Sequence, residues 1–320
     1  GSRAAFRQAW SPPSRMTTPL ADVAGYRRDG FIVMPGLLPD GAIAELRRET
    51  SRLTELAREL QEPDAHFDLE EDHDPPERVR LRRITRPDHL SDAFSALRRH
   101  PSILAVARQL LGTDSIRMQN YKLNVKAASG GSAIEWHQDW AYYPHTNDDL
   151  LAVGIFLDAV TLENGPLRVF PGSHRGAVLN HHNDDGFFVG GVGDITQAGF
   201  RAEDSTPLTG PAGICSFHHV RLLHGSDWNR SGADRRMLFL EVAAADAWPL
   251  LGDFQPRSTG AEDVQEEFNG RRILCGSGTL RPRLSGVPVR LPLPAAPGAT
   301  LYQRQRHMSR HSFGWSASRL

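Results

Sequence analysis

Residues 112–126, GTDSIRMQNYKLNVK, divide the chain into two halves with different periodicity. Upstream of Gly112 apolar residues recur at helical spacing; downstream they alternate or form short runs cut by Gly, Pro and Asn. The upstream half predicts a short helix at about Ala21–Asp29, a strand at Gly30–Met34 and a longer helix to about Glu59. Asp40 is the expected N-cap of that helix, because Ile43, Leu46, Leu53, Leu56 and Leu60 follow on one face. Ser91 and Ser102 are the expected caps of two more helices, the second ending at Gly112. Before these two, Gln61–Glu77, acidic and proline-bearing, reads as an exposed loop.

Downstream, strands are expected at Ser115–Val125, Leu150–Leu157, Leu167–Phe170, Ile214–Phe217 and Arg236–Val242. No strand–helix–strand alternation occurs in this half. Helices first and antiparallel strands later imply a mainly β, α+β chain: a helical layer over a double-stranded β-helix, the jelly roll of cupin-like proteins. Residues 1–15, opening on Gly1-Ser2 and rich in Arg, Ser and Pro, read as a loose tail or cloning remnant. Residues 16–320 read as a single domain, with an active-site lid at 181–205, where the irregular run His181–Phe200 carries Phe187-Phe188 and several glycines.

Composition narrows the function. The net charge is −1 and charged residues make up 23%, so neither nucleic acid nor an anionic membrane is the expected partner, and a small molecule is. Two cysteines, Cys215 and Cys275, are too few for a disulfide framework, and no long apolar span appears; a reducing cytoplasm is expected. Of 37 Lys and Arg residues only Lys122 and Lys126 are lysines, and both lie on the strand leading to the next motif. Four positions apart, they share one face of that strand.

That motif is His137-Gln138-Asp139, followed 87 residues later by His224 and eleven after that by Arg235. Two imidazoles and one carboxylate can hold a non-heme iron(II) with positions left open, and an arginine beyond the second histidine can grip a carboxylate. H-x-D also occurs at His66-Phe67-Asp68 and His182-Asn183-Asp184, the first in the acidic loop and the second in a polar run expected to be mobile surface. His137 instead follows a strand and the turn Ser129-Gly130-Gly131, so that its imidazole and the Asp139 carboxylate emerge on one side of an extended backbone. For the distal ligand, His218 and His219 end an apolar run where one could be a core histidine. His224 precedes Gly225-Ser226, a short pair that leaves room beside a metal, and is preferred.

EWHQDWAYYPH at Glu135–His145, ENGPLRVFPGSH at Glu163–His174, and His224-Gly225-Ser226 through Arg235 together resemble the phytanoyl-CoA dioxygenase family of iron(II)/2-oxoglutarate oxygenases. The resemblance spans about residues 20–250; the part from Leu251 has no match. It implies iron on His137, Asp139 and His224, with Arg235 and Ser226 on the C5 carboxylate of 2-oxoglutarate. Asn120, Lys122 and Gln138 are implied as further cosubstrate contacts, and Lys126 matches a lysine of relatives for which a surface role is equally open. It also implies a dioxygenase that consumes O2, releases succinate and CO2, and hydroxylates an unactivated C–H bond. Related halogenases replace the carboxylate by a small residue, so Asp139 favours hydroxylation. Trp140, Tyr142, Tyr143 and Phe187 are candidate substrate contacts. The substrate is expected to be an acyl thioester, an amino acid or a natural-product intermediate. The competing reading is a non-catalytic jelly roll that senses or carries a ligand. Pro171–His174 and Asn164-Gly165 read as turn signals without chemistry.

Overall fold

The computed structural model describes residues 19–60, 62–70, 81–251 and 270–313. The helical half begins with α1 (Val23–Asp29), whose first turn is capped by the Asp22 carboxylate accepting from Gly25 N–H at 2.8 Å. It ends at Gly30 in the left-handed region that closes helices. β1 (Phe31–Met34) follows, then α2 (Asp40–Ala57). Asp40 is the first helical residue rather than the cap, since Pro39 occupies the cap position and no side chain bonds the first turn. The buried stripe is Ile43, Leu46, Thr50, Leu53 and Ala57; Leu56 is rotated off it and is 46% exposed. Ser91 does cap α3 (Asp92–Leu97), accepting from Ala93 N–H. Ser102 does not cap α4 (Pro101–Leu111): a proline, lacking an N–H and fixed in φ, suits the first helical position, so the cap moves back to His100. Gly112, at φ +63°, ends α4 as expected.

The expected acidic loop is only partly a loop. Phe67–Leu69 form β2, with Phe67 and Leu69 buried, and pair with β3 (Leu81–Thr85); three residues are too few for alternation to show in the sequence. Residues 61 and 71–77 of that expectation lie outside the described residues.

β4 (Ile116–Lys126), β6 (Leu150–Phe156), β9 (Cys215–His219) and β11 (Arg235–Ala244) form the centre of a sheet ordered β1-β9-β6-β11-β4-β3-β2, with β12 (Ile273–Cys275) also on β4. A second sheet, β5-β10-β7-β8, is built from Ile134–His137, His224–Ser226, Leu167–Val169 and Thr206–Leu208. The named pairings are antiparallel, and the two sheets form the jelly roll expected from the sequence.

Both faces of the larger sheet are covered, and period two assigns its residues to them. Tyr121, Leu123 and Val125 of β4, with Leu238, Leu240 and Val242 of β11, pack under Leu46, Phe94, Ile103 and Leu110 of the helices. The alternate positions, Lys122, Asn124, Lys126, Arg235 and Glu241, turn inward between the sheets. The polar part of the barrel interior is a site; beside it Phe156, Leu167, Val169, Leu208, Met237 and Phe239 form a second, smaller core between the sheets.

Of the stretch expected to be a lid, residues 188–192 are buried against the barrel, while 196–199 and 201–204 are exposed. Val192 N–H bonds the Trp136 carbonyl at 2.8 Å; Phe188 N–H donates to the Pro294 carbonyl, and its carbonyl accepts from Ala296 N–H. His182, expected on a mobile surface, is buried, with Nε2 3.2 Å from the Leu293 carbonyl. The C-terminal segment then crosses the mouth of the barrel. α5 (Leu301–Gln305) starts with a capping box of Thr300 and Gln303. Tyr302 lies under the Arg82 guanidinium, 3.9 Å from ring centroid to Cζ, and the Gln305 carboxamide bridges Glu135 N–H and the Gly190 carbonyl. Among the described residues, no helix is long and apolar enough to cross a membrane.

Three histidines of this frame, His145, His181 and His219, are held mostly without charge. Burial pushes their pKa down to about 4, about 4 and about 3. In the unfolded chain each returns to about 6.5, so between roughly pH 4 and 6.5 the unfolded state binds more protons and stability rises with pH. Urea unfolding should show stability declining from roughly pH 6.5 downward, before carboxylates protonate near pH 4. A profile flat across that window would contradict the burial of these rings.

Candidate metal centre

His137 ends β5 and His224 begins β10, and the ladder between these strands pairs the two residues directly. Their rings stand 4.1 Å apart, centroid to centroid. The chain then turns tightly through the 3-10 segment Asp139–Ala141, which returns the Asp139 carboxylate to the same point. Oδ1 of Asp139 is 3.7 Å from His137 Nε2 and 3.9 Å from His224 Nε2, and the three donor atoms lie within 4.8 Å of one another.

The tautomers are set locally. His137 Nδ1–H donates to the Glu135 carbonyl at 2.8 Å and His224 Nδ1–H to the Leu222 carbonyl at 2.9 Å, which leaves both Nε2 lone pairs facing Asp139. Burial is the main force holding both imidazoles neutral, pushing His224 down to about 4 and His137 well below its usual value. Burial alone would raise the Asp139 carboxyl, but His224, His218, Lys122 and His137 around it outweigh that and hold it low. An ionised, buried carboxylate beside two neutral ring nitrogens is a donor set suited to a divalent cation. Among the described residues this is the one such group of three. His66 and His182 bond backbone carbonyls elsewhere, as does His174, whose Nε2 faces the Arg27 carbonyl.

Arg235 begins β11 and lines the same cavity at 3% exposure, with Nε unpartnered. Burial lowers its pKa to about 10, so it stays cationic at neutral pH, with Nη1 on the Met237 sulfur. Ser226, two residues beyond His224, lies alongside. Lys126 is not a surface residue. It is buried, and Nζ donates to the carbonyls of Ser226 and Asp227, which fixes the end of β10. Lys122 does face the cavity, paired with Glu241 at 2.5 Å.

Other expected contacts fall elsewhere. Gln138 points into the frame: its carboxamide donates to the Ala177 and Arg221 carbonyls and accepts from Leu179 N–H, leaving nothing for a cosubstrate. The Asn120 side chain accepts from Tyr121 N–H, and Asn120 is outside the cavity lining. Trp140 is core, 1% exposed, with its indole N–H on the Pro288 carbonyl. Phe187 is 39% exposed, and its neighbour Phe188 takes the buried place instead. Tyr142 supports the site from behind, edge-on to His137, with its hydroxyl on the Gly190 carbonyl. The Tyr143 phenol is raised by burial first, then by the charges of Asp139 and Glu241 and by hydrogen bonding to both. The room at Gly225 is taken by β5 rather than by a metal, since a Cβ there would approach the Ile134 carbonyl and the Trp136 ring at 3.1 Å.

The cavity holds about 50 Å³ of free space. Sequence reasoning missed Arg83, Asn124, His218, Glu241 and Leu301 on its walls. Glu241 and Asn124 could have been read: they stand at even spacing from Arg235 and Lys122, hence on the same strand faces. Arg83 and Leu301 gave no signal, because nothing local says that β3 and α5 reach the barrel.

Comparison with known proteins agrees with this geometry. Residues 26–237 match the family model described as phytanoyl-CoA dioxygenase. The chain is 39% identical to a protein of Stutzerimonas stutzeri described as a probable alpha-ketoglutarate-dependent hypophosphite dioxygenase, over 72% of this chain and 77% of that one. It is 30% identical to the L-proline trans-4-hydroxylase of Streptomyces griseoviridis, over 70% and 86%. The crystal structure of EctD from S. alaskensis with bound Fe superposes with a TM-score of 0.59 at 26% identity, covering 73% of this chain and 80% of that one. Fold, candidate iron site and similarity converge: the chain belongs to the phytanoyl-CoA dioxygenase family and is an iron(II)/2-oxoglutarate-dependent dioxygenase.

Proposed function

We propose that this dioxygenase hydroxylates a compact, polar metabolite, with iron held by His137, Asp139 and His224 and the far carboxylate of 2-oxoglutarate held by Arg235 and Ser226. The observation that carries the reading is the pinned His–Asp–His donor set with a buried arginine, its Nε unpartnered, opening onto the same cavity. Bound iron and 2-oxoglutarate supply the oxidant, releasing succinate and CO2 as O2 is reduced.

The chain's own contribution is orientation and exclusion. Arg235 fixes one end of the cosubstrate, and the neutral histidines offer lone pairs without first losing protons. Leu301 closes the outer wall and limits water at the reacting centre. Asp139 keeps a carboxylate in the position that halogenating relatives leave small, which supports hydroxylation.

A narrow cavity lined by Arg83, Lys122, Asn124, His218 and Glu241 suits a few-atom charged molecule better than a long acyl thioester. The substrates named for the similar enzymes, hypophosphite and L-proline, are of that size class. Cys215 and Cys275, both free thiols, fit the expected cytoplasmic setting.

Removal of the Arg235 guanidinium should raise the KM for 2-oxoglutarate by roughly tenfold to hundredfold, because a buried charge-assisted pair is lost. Calorimetric titration with iron(II) should change little in Arg235→Ala; equal loss of both affinities would mean its role is misplaced. Asp139→Ala, by contrast, should lose both iron binding and succinate formation. At the outer wall, Leu301→Trp should depress turnover of any accepted substrate by narrowing the cavity, with far less effect on iron binding; unchanged turnover would remove Leu301 from the site.

A further inference from the structure

Two polar groups in the cavity are not explained by iron or cosubstrate. Glu241 is 3% exposed; its Oε1 takes the Lys122 ammonium, but Oε2 has no hydrogen-bond partner. His218 is 1% exposed; its Nε2 faces Asp139 Oδ2 at 3.5 Å, and its Nδ1 has no hydrogen-bond partner. Buried polar atoms are as a rule hydrogen-bonded, so two orphans on one cavity wall mark a place for a ligand.

Strand register puts the two on one row. Glu241 of β11 pairs with Ala152 of β6, and Ala152 pairs with His218 of β9. All three line the cavity. With strands about 4.8 Å apart, Glu241 and His218 flank a gap of roughly 10 Å floored by a single methyl group. The gap lies at the metal end, where His218 touches Asp139 and Tyr143 lies beside both Asp139 and Glu241.

An ionised carboxylate oxygen only accepts hydrogen bonds, and its charge excludes it as a contact for a dicarboxylate cosubstrate. Lys122 balances that charge and the Tyr143 phenol interacts with the same carboxylate, while Oε2 itself makes no hydrogen bond. The group that fits Oε2 is therefore a strong donor, and a protonated nitrogen is the strongest.

We propose that Glu241 determines specificity and that the substrate is a compact amine-bearing molecule. Its protonated nitrogen bonds Glu241 Oε2, and a polar group at its other end reaches His218 across Ala152. This deepens the hydroxylase reading above and rests on it.

The test begins with wild-type protein, iron(II), 2-oxoglutarate and oxygen, without substrate. Slow succinate formation under these conditions does not involve Glu241, and its absence would sink the site assignment rather than this proposal. A bacterial small-molecule extract is then split on a strong cation exchanger in acid. The retained, amine-bearing fraction, the flow-through and hypophosphite, an anion with no N–H donor, are supplied separately. Only the retained fraction should stimulate succinate formation. For its active component, Glu241→Gln should raise KM by roughly tenfold to hundredfold while the KM for 2-oxoglutarate moves far less, and Glu241→Asp should restore part of the loss. Stimulation by hypophosphite or by the flow-through, no stimulation by the retained fraction, or equal shifts in both KM values would each overturn the assignment.

Discussion

The ladder between β4 and β11 is the constraint on which the rest of the molecule depends. Ten antiparallel pairs run from Arg235↔Lys126 to Ala244↔Ile116, with one irregularity after Glu241. Period two then leaves no freedom: apolar side chains at 121, 123, 125, 238, 240 and 242 face the helices, and the residues between them face the barrel. A one-residue slip would place Arg235, Lys126 and Glu241 in the apolar layer and Leu238 and Leu240 among the polar side chains. The cost of burying those charges against hydrocarbon locks the register, and the same register sets out the polar wall of the site.

The interior charges are tolerated because each has a use. Lys126 is spent on the Ser226 and Asp227 carbonyls, Lys122 on Glu241, and Arg236, on the opposite face from Arg235, on Asp158. On the cavity wall, Arg235 Nε, Glu241 Oε2 and His218 Nδ1 are left without a hydrogen-bond partner. Asp139 is the extreme case, an ionised group buried between neutral imidazoles whose own N–H groups are already committed to backbone carbonyls.

The C-terminal segment ties these parts together. Glu135, two residues before His137, accepts from the backbone N–H groups of Ser312 and Phe313, and the Trp228 indole, four residues after His224, donates to the Phe313 carbonyl. Phe313 also packs on Trp136. The two strands that carry the histidines are thus held from outside by a part of the chain beyond the span matched by the family model.

Sequence alone determined the helical layer and the principal strands, which depend on local periodicity, and it offered His137, Asp139, His224 and Arg235 as candidates, their roles implied by the family resemblance. It also placed Asp40 and Ser102 wrongly as caps, where a neighbouring proline shifts the helix start. Only the tertiary structure turned Gln138 and Trp140 away from the cavity, buried Lys126, and brought His218, Glu241, Arg83 and Leu301 into it. The physical reason is that a side chain's surroundings in a barrel are set by cross-strand register and by which distant segment covers the mouth. Neither is written in any window of neighbouring residues.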